Sequence, residues 1–140
     1  MSFLLDTNVI SEGARPHPDP AVMEWLGSVD EDRLFLSVIS LAELRHGVER
    51  LEAGRRTAAL DQWLSDELPG RFDGRLLAAD VTTADHWGRL VARAQANGRP
   101  IGAMDAFLAA AAEQHELTLV TRSVSDFDGI GVRLFNPWNR

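Results

Sequence analysis

Short apolar runs alternate along the chain with longer stretches in which apolar residues recur every three or four positions. The apolar runs predict strands at residues 2–5, 33–38, 76–80, 117–121 and 132–135. The longer stretches predict helices at residues 8–13, 21–28, 40–54, 55–68, 84–98 and 102–116. Alternating strands and helices are typical of an α/β fold, so we expect a small, mainly parallel sheet under a helical cover.

Local signals place several helix ends. Asp19 followed by Pro20 is typical of an N-cap and the first helical residue. Either Thr82 or Thr83 is a candidate cap for the helix at 84–98, and Pro69 predicts the end of the helix at 55–68. The chain has no internal repeat, and its length of 140 residues predicts a single domain over residues 1–140.

Composition narrows the class of protein. The chain contains no cysteine, which excludes disulfides, thiolate chemistry and cysteine-based zinc sites. No apolar stretch is long enough to span a bilayer and no signal peptide is visible. A soluble cytoplasmic protein without membrane contact is therefore expected.

The charge pattern excludes several phosphate-handling families. The formal net charge is −7, and the chain contains arginine but no lysine. Walker-type phosphate loops, two-component receiver domains and haloacid-dehalogenase phosphatases all rely on a lysine. The acidic balance also argues against broad binding to duplex DNA, which depends on many phosphate contacts.

Two acidic residues follow predicted strands. Asp6 ends the first strand, and Asp126 lies a few residues beyond the strand at 117–121. A local role explains either residue alone, because Asp6 can cap the helix at 8–13 and Asp126 lies in a turn-like segment rich in Ser, Asp and Gly. If the two strands are adjacent and parallel, however, both acids lie at the rim where α/β sheets bind ligands.

Two further acids lie in the first turns of predicted helices. The pattern Ser40-x-x-Glu43 is typical of a capping box, and it places Glu43 near the sheet edge whether or not the acid also serves a site. Asp105 lies in an almost entirely apolar segment at 103–112. The helix dipole rationalises an exposed acid at such a position but does not explain one in a buried helix.

Four carboxylates at one rim repel one another unless they are protonated or neutralised by a cation. Mg²⁺ and Mn²⁺ prefer oxygen ligands, which makes the four acids candidate metal ligands. These candidate residues are Asp6, Glu43, Asp105 and Asp126. Such a site can activate water and stabilise charge on a phosphate, as in metal-dependent nucleases.

The segments around these acids resemble the PIN domain, and more narrowly the VapC-type toxin ribonucleases of bacterial and archaeal toxin–antitoxin pairs. LLDTNVIS carries the first acid, SVISLAELRHGV the second, IGAMDAFLAAAA the third and LVTRSVSDF the fourth, and LFNPW near the end is typical of a subgroup. The order of these five segments carries the resemblance over the whole chain. Ser123 departs from the family, which often has Asn after TR, and this affects the hydrogen bonding around Asp126.

The resemblance implies the PIN fold, a small twisted parallel sheet with helices on both faces, and hydrolysis of phosphodiester bonds in RNA. It also implies that Asp6 and Asp105 hold the principal Mg²⁺ or Mn²⁺ ion, while Glu43 and Asp126 complete the pocket through water or with a second ion. The side chains expected to orient these carboxylates are Thr7, Asn8, Thr121 and Ser123. The candidate contacts to the RNA backbone are Arg15, Arg45 and Arg122.

Two other functions remain open at this point. One is a non-catalytic interaction module on the same fold, and the other is a metal-dependent phosphatase that acts on small molecules. The presence of all four acids favours a catalyst over an interaction module. Cleavage of RNA that requires a metal separates both alternatives from the ribonuclease.

The resemblance further implies a cognate antitoxin as inhibitor, and a homodimer or a dimer of toxin–antitoxin heterodimers. If Trp25 and Trp63 are partly exposed beside Leu26 and the apolar side of the helix at 40–54, they form a groove suited to an amphipathic partner segment. An arginine of that partner would pair with the acidic pocket. The segments DHWGRL and DAFLAAAA are candidates for self-association.

Overall fold

Five parallel strands form one sheet in the part of the chain that the structure describes. The structure is a computed structural model of residues 1–139, so residue 140 of the predicted domain lies outside the described residues. The strands are Phe3–Leu5 (β1), Leu34–Ser37 (β2), Leu76–Leu77 (β3), Thr118–Val120 (β4) and Leu134–Phe135 (β5). Their order is β3-β2-β1-β4-β5 with every neighbouring pair parallel, which confirms the predicted α/β fold.

Helices connect the strands and pack on both faces of the sheet. They are Thr7–Gly13 (α1), Pro20–Ser28 (α2), Val38–Glu49 (α3), Arg55–Gln62 (α4), Leu68–Arg71 (α5), Val81–Ala96 (α6) and Ala103–Gln114 (α7). Short 3-10 turns lie at Glu31–Arg33, Val124–Phe127 and Pro137–Asn139, and a π turn joins α4 to α5 at Trp63–Glu67. No helix in the described part of the chain is long and apolar enough to cross a membrane.

The alternation of side chains along β1 separates two apolar cores, because successive strand residues point to opposite faces. Phe3 and Leu5 belong to the core that α1 to α5 cover, together with Val120 of β4. Leu4 belongs to the core under α6 and α7, together with Leu119 of β4. Since both faces of the sheet are apolar, polar side chains that follow the strands gather at its carboxyl rim.

Helix α3 begins at Val38, two residues earlier than the sequence predicted. Ser37, the last residue of β2, caps it by accepting a hydrogen bond from the Ile39 N–H at 3.0 Å. Glu43 therefore lies in the second turn, and the predicted capping box from Ser40 to Glu43 is wrong. Because β2 runs into α3 without a loop, the sheet fixes the position of Glu43 directly.

Two other caps are acidic residues. Asp19 caps α2 as predicted, with its carboxylate accepting from the Ala21 N–H at 2.9 Å. Asp80, and not Thr82 or Thr83, caps α6 by accepting from the Thr83 N–H at 2.9 Å. The prediction missed Asp80 because it assigned this residue to the end of a strand.

The helix that was predicted to end before Pro69 continues to Arg71. A π turn at Trp63–Glu67 precedes the proline, and the N–H of Leu68 bonds to the carbonyl of Trp63. Proline carries no N–H and breaks the regular helical pattern, and the wider turn absorbs this break. The turn also places Leu64 and Leu68 in the core.

Trp25 is a core residue and not part of an exposed groove. Its side chain is 6% exposed, and its ring meets Phe3 edge-on at 5.1 Å and Phe135 at 5.1 Å between centroids. Leu26 packs against the same core. The predicted exposure of Trp25 is therefore wrong, whereas Leu26 and Trp63 are both half-buried.

Candidate active site

The carboxyl rim of the sheet opens into a cavity of about 430 Å³, and all four predicted acids line it. Asp6 follows β1 directly, and Glu43 comes from α3 after β2. Asp105 comes from the first turn of α7, and Asp126 from the 3-10 turn after β4. These residues are distant in sequence and meet because β2, β1 and β4 are neighbours in the sheet.

Asp6 is 6% exposed, and both of its carboxylate oxygens accept hydrogen bonds. Oδ1 accepts from the Thr7 backbone N–H at 2.6 Å and Oδ2 from the Thr121 hydroxyl at 2.7 Å. Burial raises the pKa of Asp6, the two hydrogen bonds oppose this rise, and the charges of Glu43 and Asp126 add to it. Asp6 thus caps α1 and faces the other acids at the same time.

Thr7 links the first acid to the second. Its hydroxyl donates to Glu43 Oε1 at 2.8 Å and lies 3.1 Å from the hydroxyl of Ser40, which is fully buried. The first residue of α1 therefore fixes the orientation of the Glu43 carboxylate. The contact agrees with the supporting position predicted for Thr7.

Asp105 lies in the field of the other three acids. Burial and the negative charges of Asp6, Asp126 and Glu43, in that order of effect, raise the pKa of Asp105 to about 6. Most of α7 beyond Asp105 is buried, which holds the residue in this position. The four carboxylates therefore repel one another when all of them are ionised, unless a cation neutralises part of their charge.

A chain of polar contacts orients the side of the cavity near β4. Asn8 Nδ2 lies 3.5 Å from Thr121 Oγ1 and 3.4 Å from Ser123 Oγ, and the Ser123 N–H donates to Thr121 Oγ1 at 3.0 Å. The carbonyl of Ser123 accepts from the Asp126 N–H at 3.0 Å. The structure thus places Asn8, Thr121 and Ser123 where the sequence predicted supporting residues, and Phe127, which is buried, anchors the turn that carries Asp126.

The ligand atoms that the cavity offers are carboxylate, hydroxyl and amide oxygens, a set that suits Mg²⁺ or Mn²⁺ better than a softer metal. Burial first, and the charges of the neighbouring acids second, raise the pKa values of Asp6 and Asp105, and a divalent cation at this position would oppose both effects. Within the described residues, no three His, Cys, Asp or Glu side chains are already gathered as a metal-binding cluster. Water can span the remaining gaps, because Mg²⁺ keeps several waters when bound.

The three predicted arginines occupy different places. Arg15 and Arg122 line the cavity, and Arg15 pairs with Glu12 at 3.3 Å. Arg45 does not line it and instead pairs with Asp61 at 2.7 Å on the surface. The structure therefore brings two of the three candidates for RNA contact to the acids.

Sequence reasoning missed three residues of the cavity wall: Ser11, Glu12 and Trp138. Glu12 is 4% exposed and accepts from the Asp19 N–H at 2.8 Å, so this acid ties α1 to the start of α2. Helical spacing from Asn8 to Ser11 and Glu12 was an available signal. Nothing comparable exists for Trp138, because the return of the last segment to the cavity is a tertiary contact.

Comparison with known proteins agrees with this architecture. A model of the PIN domain matches residues 3–128. Toxin FitB of Neisseria gonorrhoeae is 40% identical over 137 residues, which are 98% of this chain and 99% of FitB. The VapC ribonuclease Y4jK of Sinorhizobium fredii is 37% identical over 97% of each chain.

A crystal structure of FitAcB from Neisseria gonorrhoeae superposes with a TM-score of 0.93 at 40% sequence identity, and the match covers 99% of both chains. This likeness extends over the whole sheet and the helices that carry the four acids. The chain belongs to the PIN-domain family, among its VapC-type toxins.

Proposed function

We propose that this protein is a Mg²⁺- or Mn²⁺-dependent endoribonuclease and the toxin of a toxin–antitoxin pair. The observation that carries the proposal is the meeting of Asp6, Glu43, Asp105 and Asp126 in one cavity at the rim of the sheet. The names of the relatives, toxin FitB and VapC ribonuclease Y4jK, support the same activity.

Asp6 and Asp105 hold the principal metal ion in this proposal, and Glu43 and Asp126 complete the pocket. When bound, the metal supplies an acidified water and stabilises negative charge on the phosphate. Asp6 is the fixed ligand, because hydrogen bonds hold both of its oxygens. Asp105 would bind the cation as a carboxylate, and a bound cation would lower the raised pKa of Asp105 by offsetting the charges of Asp6, Asp126 and Glu43.

Glu43 acts as the general base for the attacking water in this proposal. Its Oε1 is held by the Thr7 hydroxyl at 2.8 Å, which leaves Oε2 to accept a proton from the attacking water. Asn8 and Ser123 keep the opposite wall in place through Thr121. Thr7, which follows β1, therefore orients the proton acceptor Glu43. Thr121, which follows β4, orients the metal ligand Asp6.

A polymer suits this site better than a small phosphate ester. A second cavity of about 360 Å³ shares Asp105 and Asp126 with the first and continues past Arg99 and Ser125. Asp105 and Asp126 therefore border two adjoining cavities and do not lie at the bottom of a single one. This arrangement favours a nuclease over the small-molecule phosphatase, since a chain can extend to both sides of the cut bond.

The test uses the purified protein with two substrates, a uridine-rich single-stranded RNA oligonucleotide and p-nitrophenyl phosphate. We expect the RNA to be cut in Mg²⁺ or Mn²⁺ and to stay intact in EDTA, with no hydrolysis of the small ester. Hydrolysis of the ester alone would favour the phosphatase. Inertness toward both substrates, with each metal, would favour the interaction module.

We also propose that an antitoxin segment docks in a groove beside the acids. The groove has a volume of about 250 Å³, and its walls come from α1, α3, α4 and the π turn. Leu44, Leu51 and Trp63 give it an apolar lining suited to an amphipathic segment. Thr7 and Glu43 line both the groove and the acidic cavity, so a basic side chain of the partner can reach the carboxylates.

Leu51→Arg tests the groove, because Leu51 is 48% exposed and can be changed without disturbing the core. Val81→Arg is the matched control, since Val81 is 87% exposed on the remote helix α6. Each variant is co-expressed with the product of the neighbouring open reading frame and the complexes are weighed by light scattering. We expect Leu51→Arg to lose the partner and Val81→Arg to keep it; retention by both variants would contradict the proposed groove.

A further inference from the structure

The last described segment of the chain returns to the acidic cavity. After β5, a 3-10 turn at Pro137–Asn139 begins with the Trp138 N–H donating to Asn136 Oδ1 at 2.9 Å. Trp138 packs one part of its ring against the core cluster that contains Phe3 and Trp25, and another part lines the cavity. The ring is therefore held in place by the core and also forms part of the cavity wall.

Arg122 lies on this ring. Its guanidinium carbon is 5.3 Å from the centroid of Trp138, within the range of a cation–π contact. The backbone N–H of Arg122 donates to Asn8 Oδ1 at 3.4 Å, which ties the residue to α1. Arg122 is exposed and lines the same cavity as the acids.

No carboxylate of the described residues forms an ion pair with Arg122. The basic residues that form ion pairs within the described part of the chain are Arg15, Arg45, Arg71, His86, Arg89, Arg93 and Arg99, and Arg122 is not among them. Its neighbour across the cavity, Arg15, is held by Glu12 at 3.3 Å. Arg122 thus combines three features: it has no ion-pair partner among the described residues, it lines the cavity of the four acids, and it lies on an aromatic ring.

We propose that Trp138 positions Arg122 as a stacking platform for one nucleobase of single-stranded RNA next to the cut bond. This inference rests on the proposed ribonuclease function and adds to it the recognition of an unpaired base. Trp138 acts through Arg122 and is a positioning residue, whereas Arg122 itself touches the RNA.

The geometry suits a base more than a phosphate alone. A guanidinium is planar, so one face can lie on the indole while the other receives a base. Single-stranded RNA is commonly bound by stacking bases on aromatic rings or on arginine planes, and such stacking tolerates any base. Because the indole already restrains the Arg122 side chain, RNA binding costs little further conformational entropy at this residue.

The test compares an intact uridine-rich single-stranded RNA with copies that lack one base at each position around the mapped cut. For the wild-type protein, we expect the abasic nucleotide beside the cut bond to lower kcat/KM about tenfold, mainly through KM. Arg122→Ala and Trp138→Leu should cut intact RNA about tenfold less efficiently and respond to that abasic nucleotide by less than about twofold. Trp138→Phe, which keeps an aromatic ring, should behave like the wild-type protein.

Arg71→Ala is the matched control, since Arg71 also lies over an aromatic ring, 5.0 Å from the centroid of Phe72, and pairs with Glu31 at the amino-terminal edge of the sheet, away from the cavity. We expect it to change neither the rate on intact RNA nor the abasic response. If Trp138→Leu fails to fold, Arg122→Ala still decides the question, because Arg122 is exposed and is not part of the core.

An abasic response that is equal in the wild-type protein and in Arg122→Ala would overturn the platform while leaving metal-dependent cleavage in place. Loss of antitoxin binding in Trp138→Leu with unchanged RNA kinetics would also overturn it, and would assign the surface to the protein partner. Absence of any RNA cleavage by the wild-type protein would remove the proposed function and the platform together.

Discussion

At Asp6 one carboxylate serves both folding and the site. It caps α1 through the Thr7 N–H and is held by Thr121, and it also faces Glu43 and Asp126. The two interpretations that the sequence left open are therefore compatible, because a strand that runs directly into a helix places the cap at the sheet rim. The same burial that fixes the position of Asp6 also raises its pKa.

Asp105→Asn should stabilise the protein when no metal is bound. The folded state raises the pKa of Asp105 to about 6, so between about pH 4 and pH 6 the folded chain holds a proton that the unfolded chain has lost. The stability of the wild-type protein therefore falls as the pH rises through this window. After discounting for the partial exposure of Asp105, we expect a gain of about 1 kcal/mol for Asp105→Asn at pH 7.

Thermal melting of both proteins in EDTA at pH 4, 5, 6 and 7 measures this effect. The two melting temperatures should converge at the lowest pH and separate as the pH rises. Addition of Mg²⁺ or Mn²⁺ should reverse the order, because the metal stabilises only the protein that retains the carboxylate. A constant difference at all four pH values would contradict the pKa assigned to Asp105.

Glu43→Gln separates the charge of this residue from its hydrogen bond. Ser37 caps α3, so the helix start does not depend on Glu43, and a Gln oxygen can still accept from the Thr7 hydroxyl. We expect a melting temperature close to that of the wild-type protein and a fall in RNA cleavage of about tenfold or more. Equal cleavage by the two proteins would show that Glu43 has only a structural role.

The four acids and the side chains that orient them could be predicted, but which of these side chains bonds to which acid could not. Hydrophobic runs in the sequence mark the strand ends, which is enough to single out Asp6 and Asp126. The hydrogen bond between Asp6 and Thr121 joins residues 115 positions apart and depends on the neighbouring position of β1 and β4. No local sequence pattern shows that these two strands are neighbours. The position of Trp138 in the cavity wall could not be predicted for the same reason.

At the scale of elements, periodicity predicted the existence of the helices better than their ends. The core face of α7 was visible as an apolar segment, whereas the cap of α3 lies three residues before the predicted one, because both Ser37 and Ser40 fit a cap. The π turn before Pro69 had no signal that periodicity could detect. Helix ends depend on single hydrogen bonds, and a pattern that extends over several turns does not resolve them.

Ser37→Ala tests the cap of α3. The variant loses the hydrogen bond to the Ile39 N–H, and we expect a loss of about 1 kcal/mol in the free energy of unfolding. Ser40→Ala is a matched comparison: it removes no cap, but it removes a buried hydroxyl beside Thr7. Urea unfolding measures both variants, and an unchanged midpoint for Ser37→Ala would contradict the assigned helix start.

At the scale of the molecule, an apolar face adjoins the acidic cavity. The rings of Trp87 and Phe107 lie 5.5 Å apart, and Met104, one helical turn before Phe107, is 40% exposed. Asp105 is the next residue in the chain, so a second copy that packs on this face would lie close to the cavity. This is the face formed by the segments DHWGRL and DAFLAAAA, and it is our candidate for self-association.

Met104→Arg should convert a dimer into a monomer, because it places a charge in the middle of this face. Light scattering on the purified proteins measures the change, with Val81→Arg, an exposed residue at the start of the same helix pair, as the control. We expect a dimeric mass for the wild-type protein and for the control. A dimeric mass for Met104→Arg as well would assign self-association to another surface.

In the proposed reaction, the carboxylates of this cavity bind a metal ion that activates water, and this water hydrolyses RNA. The most direct measurement is cleavage of an RNA oligonucleotide that carries one 2′-deoxy nucleotide at the mapped cut, by the wild-type protein and by Asp105→Asn, in Mn²⁺ and in EDTA. We predict that the wild-type protein cuts this substrate in Mn²⁺, because water and not the 2′-hydroxyl attacks the phosphate, and that the other three reactions leave it intact. Cleavage in EDTA, or equal cleavage by Asp105→Asn in Mn²⁺, would contradict the claim.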